Sequence, residues 1–311
     1  MATHGSVPEP AGNPGRISAF HRDGLTFPVV DSGPIEGESV LLLHGWPQDS
    51  RSWSEVSDLL NQAGFRTFSP DLRGASATAA PRWRWQYRLD ELAADVLAMI
   101  DRIGQPVHVV GHDWGAAAAW ATAIVAGDRL LSLSALSVPH PGAFARAMLT
   151  TRQGLASWYM YLFQLPLMPE IVLRTKLFGQ LLRKTGQSDS VSRRDAERVR
   201  DRVIARGGLH WYRGMPFSDP RIVRGRVAVP VLQVWSDGDT AILESGIELT
   251  ARYADGPFRL EVLPGVSHWI PEEAPEAVSR LLIEHFRANG RGEEPLPHEL
   301  STRSSAPTRR T

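Results

Sequence analysis

The sequence predicts an α/β fold built on a mostly parallel sheet, with a helical segment inserted before the last strands. Three observations carry that expectation. Apolar runs recur at Ser39–Leu43, 107–110 and 231–235, with a fourth at 260–263. Near-continuous apolar strands are typical of parallel sheets covered on both faces. Helical periodicity lies between these runs, and strands alternating with helices give α/β architecture. The alternation then breaks between about 143 and 226, where helical periodicity dominates and no strand pattern stands out.

Taken in order, the earliest extended pieces, near 17–21 and 25–31, are expected to add antiparallel edge strands. Leu89–Ile103 places Leu92, Val96, Met99, Ile100 and Ile103 on one helical face. The run 107–110 leads into Gly111-His112-Asp113-Trp114-Gly115 and then into the alanine-rich stretch 116–126, which reads as strand, sharp turn and buried helix. The aromatic clusters at 158–163 and 210–212 belong to the inserted helical lid, and strands resume at Val229. In the last helix, 274–286, Pro275 sits near the start, where its missing donor costs nothing. The expected division is a sheet domain over 16–142 and 227–288 and a helical cap over 143–226. Residues 1–15 and 289–311, rich in Pro, Gly and polar side chains, are expected to be disordered.

Composition narrows the function. A chain of 311 residues with 42% hydrophobic side chains can bury a sizeable core in one domain with an insertion. The formal net charge is zero, so no bulk electrostatic attraction favours nucleic acid or anionic lipid. The absence of cysteine excludes disulfides, thiol chemistry and cysteine metal sites. No paired-histidine metal spacing and no glycine-rich phosphate loop is present, so neither a metal nor a nucleotide cofactor is expected. The N-terminus does not read as a signal peptide. The longest apolar stretch, 116–126, is too short to cross a bilayer, and the expectation is a soluble, cytoplasmic protein.

Functional groups in parallel α/β sheets gather beyond the carboxyl ends of the strands. Four such ends carry suitable chemistry: Asp113, Asp239, His268 and the loop His44-Gly45-Trp46-Pro47. Small residues on both sides of Asp113 allow the tight corner that presents a nucleophile in hydrolases, there usually a serine. A carboxylate is already ionised at neutral pH and attacks carbon without a base. In this reading His268 is the general base for a water molecule. Asp239, rather than its neighbour Asp237, accepts the other ring N–H and stabilises the imidazolium. The backbone N–H groups of Trp46 and Trp114 are the candidates for an oxyanion hole. His44 and His112 read as structural, Asp71 as a partner of Arg73, and Asp49 with Arg51 as a surface pair of small weight. The charged stretch 192–206 reads as a solvated helix face.

These motifs, with the lid segments Tyr159…Phe163-Gln164-Leu165-Pro166 and Trp211-Tyr212-Arg213, resemble the epoxide hydrolases of the α/β-hydrolase superfamily over roughly 25–286. The resemblance implies the α/β-hydrolase fold, with an eight-stranded, mostly parallel sheet and an inserted cap. It also implies that Asp113 attacks an epoxide carbon and that Tyr159 and Tyr212 hold and protonate the ring oxygen. Water activated by His268 then hydrolyses the ester, and the products are vicinal diols. Trp158, Phe163, Met215 and Trp269 are expected, with Trp46 and Trp114, to form apolar walls for a hydrophobic substrate. Two segments depart from the family pattern: Ala75-Ser76-Ala77 after Gly74, and Leu167-Met168-Pro169-Glu170, which lacks a glycine-rich step. The second bears on lid shape and so on substrate range.

A phenol donates a proton to a developing alkoxide, whereas a halide leaves without one. The lid tyrosines therefore favour epoxides. The runner-up is a haloalkane dehalogenase, in which the Trp114 indole, with Trp158 or Trp46, would cradle the halide. A non-catalytic scaffold binding hydrophobic ligands is the remote third reading.

Overall fold

The computed structural model describes residues 15–291. Its strands are β1 (Ala19–Arg22), β2 (Leu25–Ser32), β3 (Ser39–Leu43), β4 (Arg66–Pro70), β5 (Val107–His112), β6 (Leu130–Leu136), β7 (Val231–Ser236) and β8 (Phe258–Leu263). They form one sheet in the order β1-β2-β4-β3-β5-β6-β7-β8. The β1–β2 and β2–β4 pairs are antiparallel and the remaining pairs parallel.

Both faces of the sheet are covered, which is why β3 and β5 are apolar without alternation. Leu41, Leu43, Val107 and Val109 face one core, which includes helices α2 (Leu89–Ile103) and α3 (Trp114–Ala126). Val40, Leu42 and Val110 face the other, packed with α1 (Ser54–Gln62) and α14 (Pro275–Asn289). The side chains of each strand thus alternate between two apolar layers. β8 departs from the expected buried strand: it is an edge strand, with Leu260 and Val262 exposed. Only one of its flanks is paired, and its outward side chains meet water.

Between β6 and β7 the named elements are all helical: α4 (Pro141–Thr150), α5 (Gln153–Ala156), α6 (Trp158–Leu162), α7 (Met168–Leu173), α8 (Lys176–Lys184), α9 (Asp189–Arg198), α10 (Arg202–Gly214) and α11 (Pro220–Arg224). After β7 come α12 (Glu244–Thr250) and, beyond β8, α13 (Ile270–Glu273) and α14. The residues expected to be disordered at 1–14 and 292–311 lie outside the described residues. At 289–291 the chain is ordered by its contacts. Asn289 ends α14 with its side-chain amide on the His285 carbonyl at 2.8 Å. Arg291 donates to Gln105 Oε1 at 2.8 Å and to the Pro106 carbonyl at 3.0 Å.

Candidate active site

β5 lies in the middle of the sheet, and the chain turns from it into α3 at Asp113 with φ 52° and ψ −121°. A non-glycine residue at positive φ is strained, and such strain persists only where surrounding structure fixes it. The flanking glycines make the turn possible. A Cβ on Gly111 would collide with the Gly115 carbonyl, and one on Gly115 with the Leu43 carbonyl. The corner therefore presses against the end of β3, and that contact brings the following loop to Asp113. The Trp46 amide donates to Asp113 Oδ1 at 2.8 Å. The Trp114 amide is one of the first-turn N–H groups of α3, which have no acceptor inside the helix.

The ends of β7 and β8 supply the imidazole and its partner. His268 Nδ1 donates to Asp239 Oδ2 at 2.7 Å, and its Nε2 stands 3.5 Å from Asp113 Oδ2. Asp239 is itself fixed by the Ala241 and Ile242 amides on Oδ1, at 2.8 and 2.9 Å. Asp237 is turned elsewhere and accepts from the Gly265 amide at 2.6 Å. The His268 backbone is held as well, its carbonyl accepting from His112 Nε2 at 2.8 Å and Ser137 Oγ at 3.1 Å.

Electrostatics couple the three groups. Burial alone would raise the Asp113 carboxyl, but the hydrogen bond and charge of His268 and the Trp46 amide hold it below its ordinary value. Burial would lower the His268 imidazole; the Asp239 charge and the contact with Asp113 outweigh that and push it well up. The two shifts run in opposite directions, so each group favours the charged form of the other.

Asp113 opens onto a cavity of about 640 Å³, walled by Trp114, Val138, Phe144, Met148, Met215 and neighbouring side chains. Tyr159 and Tyr212 line the same cavity, their ring centroids 6.1 Å apart. Tyr212 packs edge-on against the Trp114 indole at 4.9 Å. Burial, then the nearby Asp113 charge, raises the pKa of Tyr159; for Tyr212 burial is again the largest cause, with Tyr159 and Asp113 adding to it. Both phenols therefore keep their protons at neutral pH. Tyr159 and Phe163 share a face of the short α6 region, because they are four residues apart.

Several residues sit elsewhere than expected. Trp158 is 62% exposed and absent from the cavity wall, its side chain turned to solvent from α6. Phe163 stands behind the tyrosines, against Trp46, Tyr159 and Tyr212. Trp269 is buried among Leu173, Phe178 and Leu182, with its indole N–H on Thr185 Oγ1 at 3.1 Å. The Trp46 ring packs against Phe163, Phe178 and Tyr212 and is also absent from the wall. Met215 and Trp114 do line it. Phe144, Met148 and Leu149 of α4 form wall that sequence reasoning missed. Their spacing after Pro141 was the available signal, an apolar stripe directly following β6.

The polar expectations also change. Asp71 accepts from the Ser50 amide, while Arg73 forms a buried pair with Asp95 at 2.6 Å. Asp49 is buried and forms ion pairs with both Arg51 and Arg198 of α9, at 2.7 and 3.1 Å. The segment 192–206 is not merely a solvated face. Asp195 is fully buried, and Arg194 joins it to Glu272. These charges tie α9 to α13 and to the segment that follows β3. Burial and the guanidinium partners account for this, which local periodicity does not reveal. His44 and His112 do bond nearby loops, His44 Nε2 accepting from the Leu72 amide at 2.9 Å.

Comparison with known proteins agrees with this architecture. Residues 40–281 match the model of the alpha/beta hydrolase family. Epoxide hydrolase 3 of Xenopus tropicalis is 31% identical, over 85% of this chain and 75% of its own length. AB hydrolase superfamily protein YfhM of Bacillus subtilis is 30% identical, over 85% of this chain and 96% of its own length. Among solved structures, one from a study of novel epoxide hydrolases in metagenomes from hot environments superposes with a TM-score of 0.77. It is 26% identical, covering 86% of this chain and 97% of its own. Epoxide hydrolase A from Mycobacterium thermoresistibile gives a TM-score of 0.70 at 26% identity, with coverage of 86% and 97%. The chain is thus an enzyme of the epoxide hydrolase family, within the α/β-hydrolase superfamily.

Proposed function

We propose that this enzyme opens hydrophobic epoxides to vicinal diols through a covalent ester on Asp113, without a cofactor. The observation that carries the reading is the meeting of Asp113, Tyr159 and Tyr212 on one largely apolar cavity, with the His268–Asp239 pair directly behind the carboxylate. The helices between β6 and β7 act as a cap that excludes bulk water and supplies the two phenols.

In the first step an Asp113 oxygen attacks an epoxide carbon and the C–O bond of the ring breaks. The ring oxygen takes up negative charge and receives a proton from one of the tyrosines, while the other holds it by hydrogen bonding. The high pKa of the phenols keeps them protonated beforehand. Consumption of the Asp113 charge removes one cause of that elevation, so their acidity rises as the proton is needed.

The same loss of charge acts on His268. With Asp113 esterified, one of the two anions that hold the imidazolium is gone, and the ring gives up its proton, which restores the phenol that ring opening left as a tyrosinate. The neutral imidazole then takes a proton from water, which attacks the ester carbonyl. Asp239 stabilises the imidazolium that forms. The Trp46 amide, already on Asp113 Oδ1, and the Trp114 amide stabilise the tetrahedral oxyanion. Collapse of that intermediate releases the diol and restores the carboxylate.

The halide reading loses its second indole, since Trp158 is at the surface and Trp46 is packed among aromatic rings away from the cavity wall. The test is to replace the base. His268→Gln mixed with a styrene-type epoxide is expected to accumulate the intact epoxide mass on the peptide bearing Asp113. Absence of an adduct in both the variant and the parent, with diol still formed, overturns the ester.

A further inference from the structure

The helices over the cavity leave an unusual surface outside. Leu165, Leu167, Met168, Ile171, Leu177 and Leu181 are all exposed, Leu167 at 74% and Ile171 at 64%. They fall in one run along α7 and α8. In α8 the buried side chains are Phe178 and Leu182, so Leu177 and Leu181 point outward by the helical repeat. On α4 and α6, Leu149 and Tyr161 are also exposed, and both line the cavity wall.

Charge on this segment is one-sided. Residues 141–188 hold six cations, Arg146, Arg152, Arg174, Lys176, Arg183 and Lys184, against the single carboxylate of Glu170. That carboxylate is taken by Arg213 at 2.6 Å. Both lysines of the chain are among the six. Among the described residues only Arg183 of the six has a carboxylate within 4.0 Å, Asp189 at 3.5 Å. A groove of about 350 Å³ between α8 and α9 gathers Lys176, Arg183, Arg193 and Arg200 around the lone Glu197. The zero net charge of the whole chain conceals this patch.

Exposed apolar side chains fringed by cations, most of them without a carboxylate partner, fit the interface of an anionic lipid bilayer, with acyl chains under the apolar side chains and phosphates on the cations. A second copy fits less well, because two such faces would set like charges against each other. No helix among the described residues is long and apolar enough to cross a membrane, so the contact is peripheral. We propose that the α7–α8 face docks this enzyme on anionic membranes, which would concentrate it where lipophilic substrates partition.

Docking is read without turnover, so its failure is separate from failure of the epoxide reading. The full chain is sedimented with vesicles of phosphatidylcholine, with and without phosphatidylglycerol. Binding is expected only with the anionic lipid and is expected to weaken as salt rises. Leu167→Ser/Ile171→Ser/Leu177→Ser should lower partition at least about tenfold. Lys176→Gln/Lys184→Gln should lower it by about fivefold per charge. Both variants should keep the parent melting temperature and the parent rate on a small water-soluble epoxide. Wild-type protein that stays in the supernatant, or variants that sediment like wild type, overturns the proposal. A lipid-free dimer that the serine variant dissociates also overturns it and reassigns the face to self-association.

Discussion

The carboxyl end of the sheet and the helices above it build one cavity by different means. At the sheet end, backbone fixes the chemistry. Strand register places β3 beside β5, and two glycines hold Asp113 at positive φ. The Asp113 and Asp239 carboxylates each accept at least one main-chain amide. In the inserted helices, side-chain packing fixes it. Tyr159 and Tyr212 rest on Phe163, Trp114 and each other. The lesson is a division of labour. Under the proposed mechanism, backbone sets the position of the charged groups that would react, while packed rings set the shape of the cavity around them.

That contrast has measurable consequences. The largest effect belongs to the sheet end: Asp113→Asn should lower turnover by at least about 10⁴-fold, the scale seen when a member of a catalytic unit is removed. Its melting temperature should stay close to the parent, because the main-chain corner is unchanged. A retained rate would break the comparison at its strongest point. Tyr159→Phe with Tyr212→Phe should cost about 10²- to 10⁴-fold in kcat. Stability should hardly change, and either single change should cost less than the pair.

Arg213 probes the helices alone. Its guanidinium donates to the Phe163 carbonyl at 2.8 Å, the Leu165 carbonyl at 2.6 Å and Glu170 at 2.6 Å. Arg213→Met should cost about 1–3 kcal/mol of stability, by leaving those acceptors unpaired. It should raise KM more than it lowers kcat, since Asp113 and His268 keep their geometry. An equal fall in kcat would mean that the helices also set the reacting groups.

The smallest effect is on acid stability. Burial lowers His112 from 6.5 to about 4 and His140 from 6.5 to about 3. The unfolded chain therefore binds these protons first. Stability should be fullest above about pH 6.5 and fall progressively toward pH 4 and 3. Thermal melts across that range should show the slope, and His140→Gln should flatten it.

The same division explains what was legible in the sequence. The elbow could be read because its glycines, the apolar strand before it and the alanine-rich helix after it are neighbours in the chain. Asp239 and His268 could be read because each follows a strand. The cavity wall could not, because an aromatic in a short helix faces inward or outward according to tertiary packing. Trp158 and Tyr159 are adjacent in sequence, yet one is exposed and the other lines the cavity. Asp49 reads as a surface charge and Asp195 as part of a solvated helix face, and only the folded chain brings them, with Glu272, to Arg194 and Arg198.

A single turnover in heavy-oxygen water, with enzyme in excess over a styrene-type epoxide, tests covalent attack by Asp113 most directly. The account predicts an unlabelled diol and one heavy oxygen in the Asp113 carboxylate, with label reaching the diol only on later turnovers. Heavy oxygen in the first diol and none in Asp113 would contradict it, because water would then be the group that opens the ring.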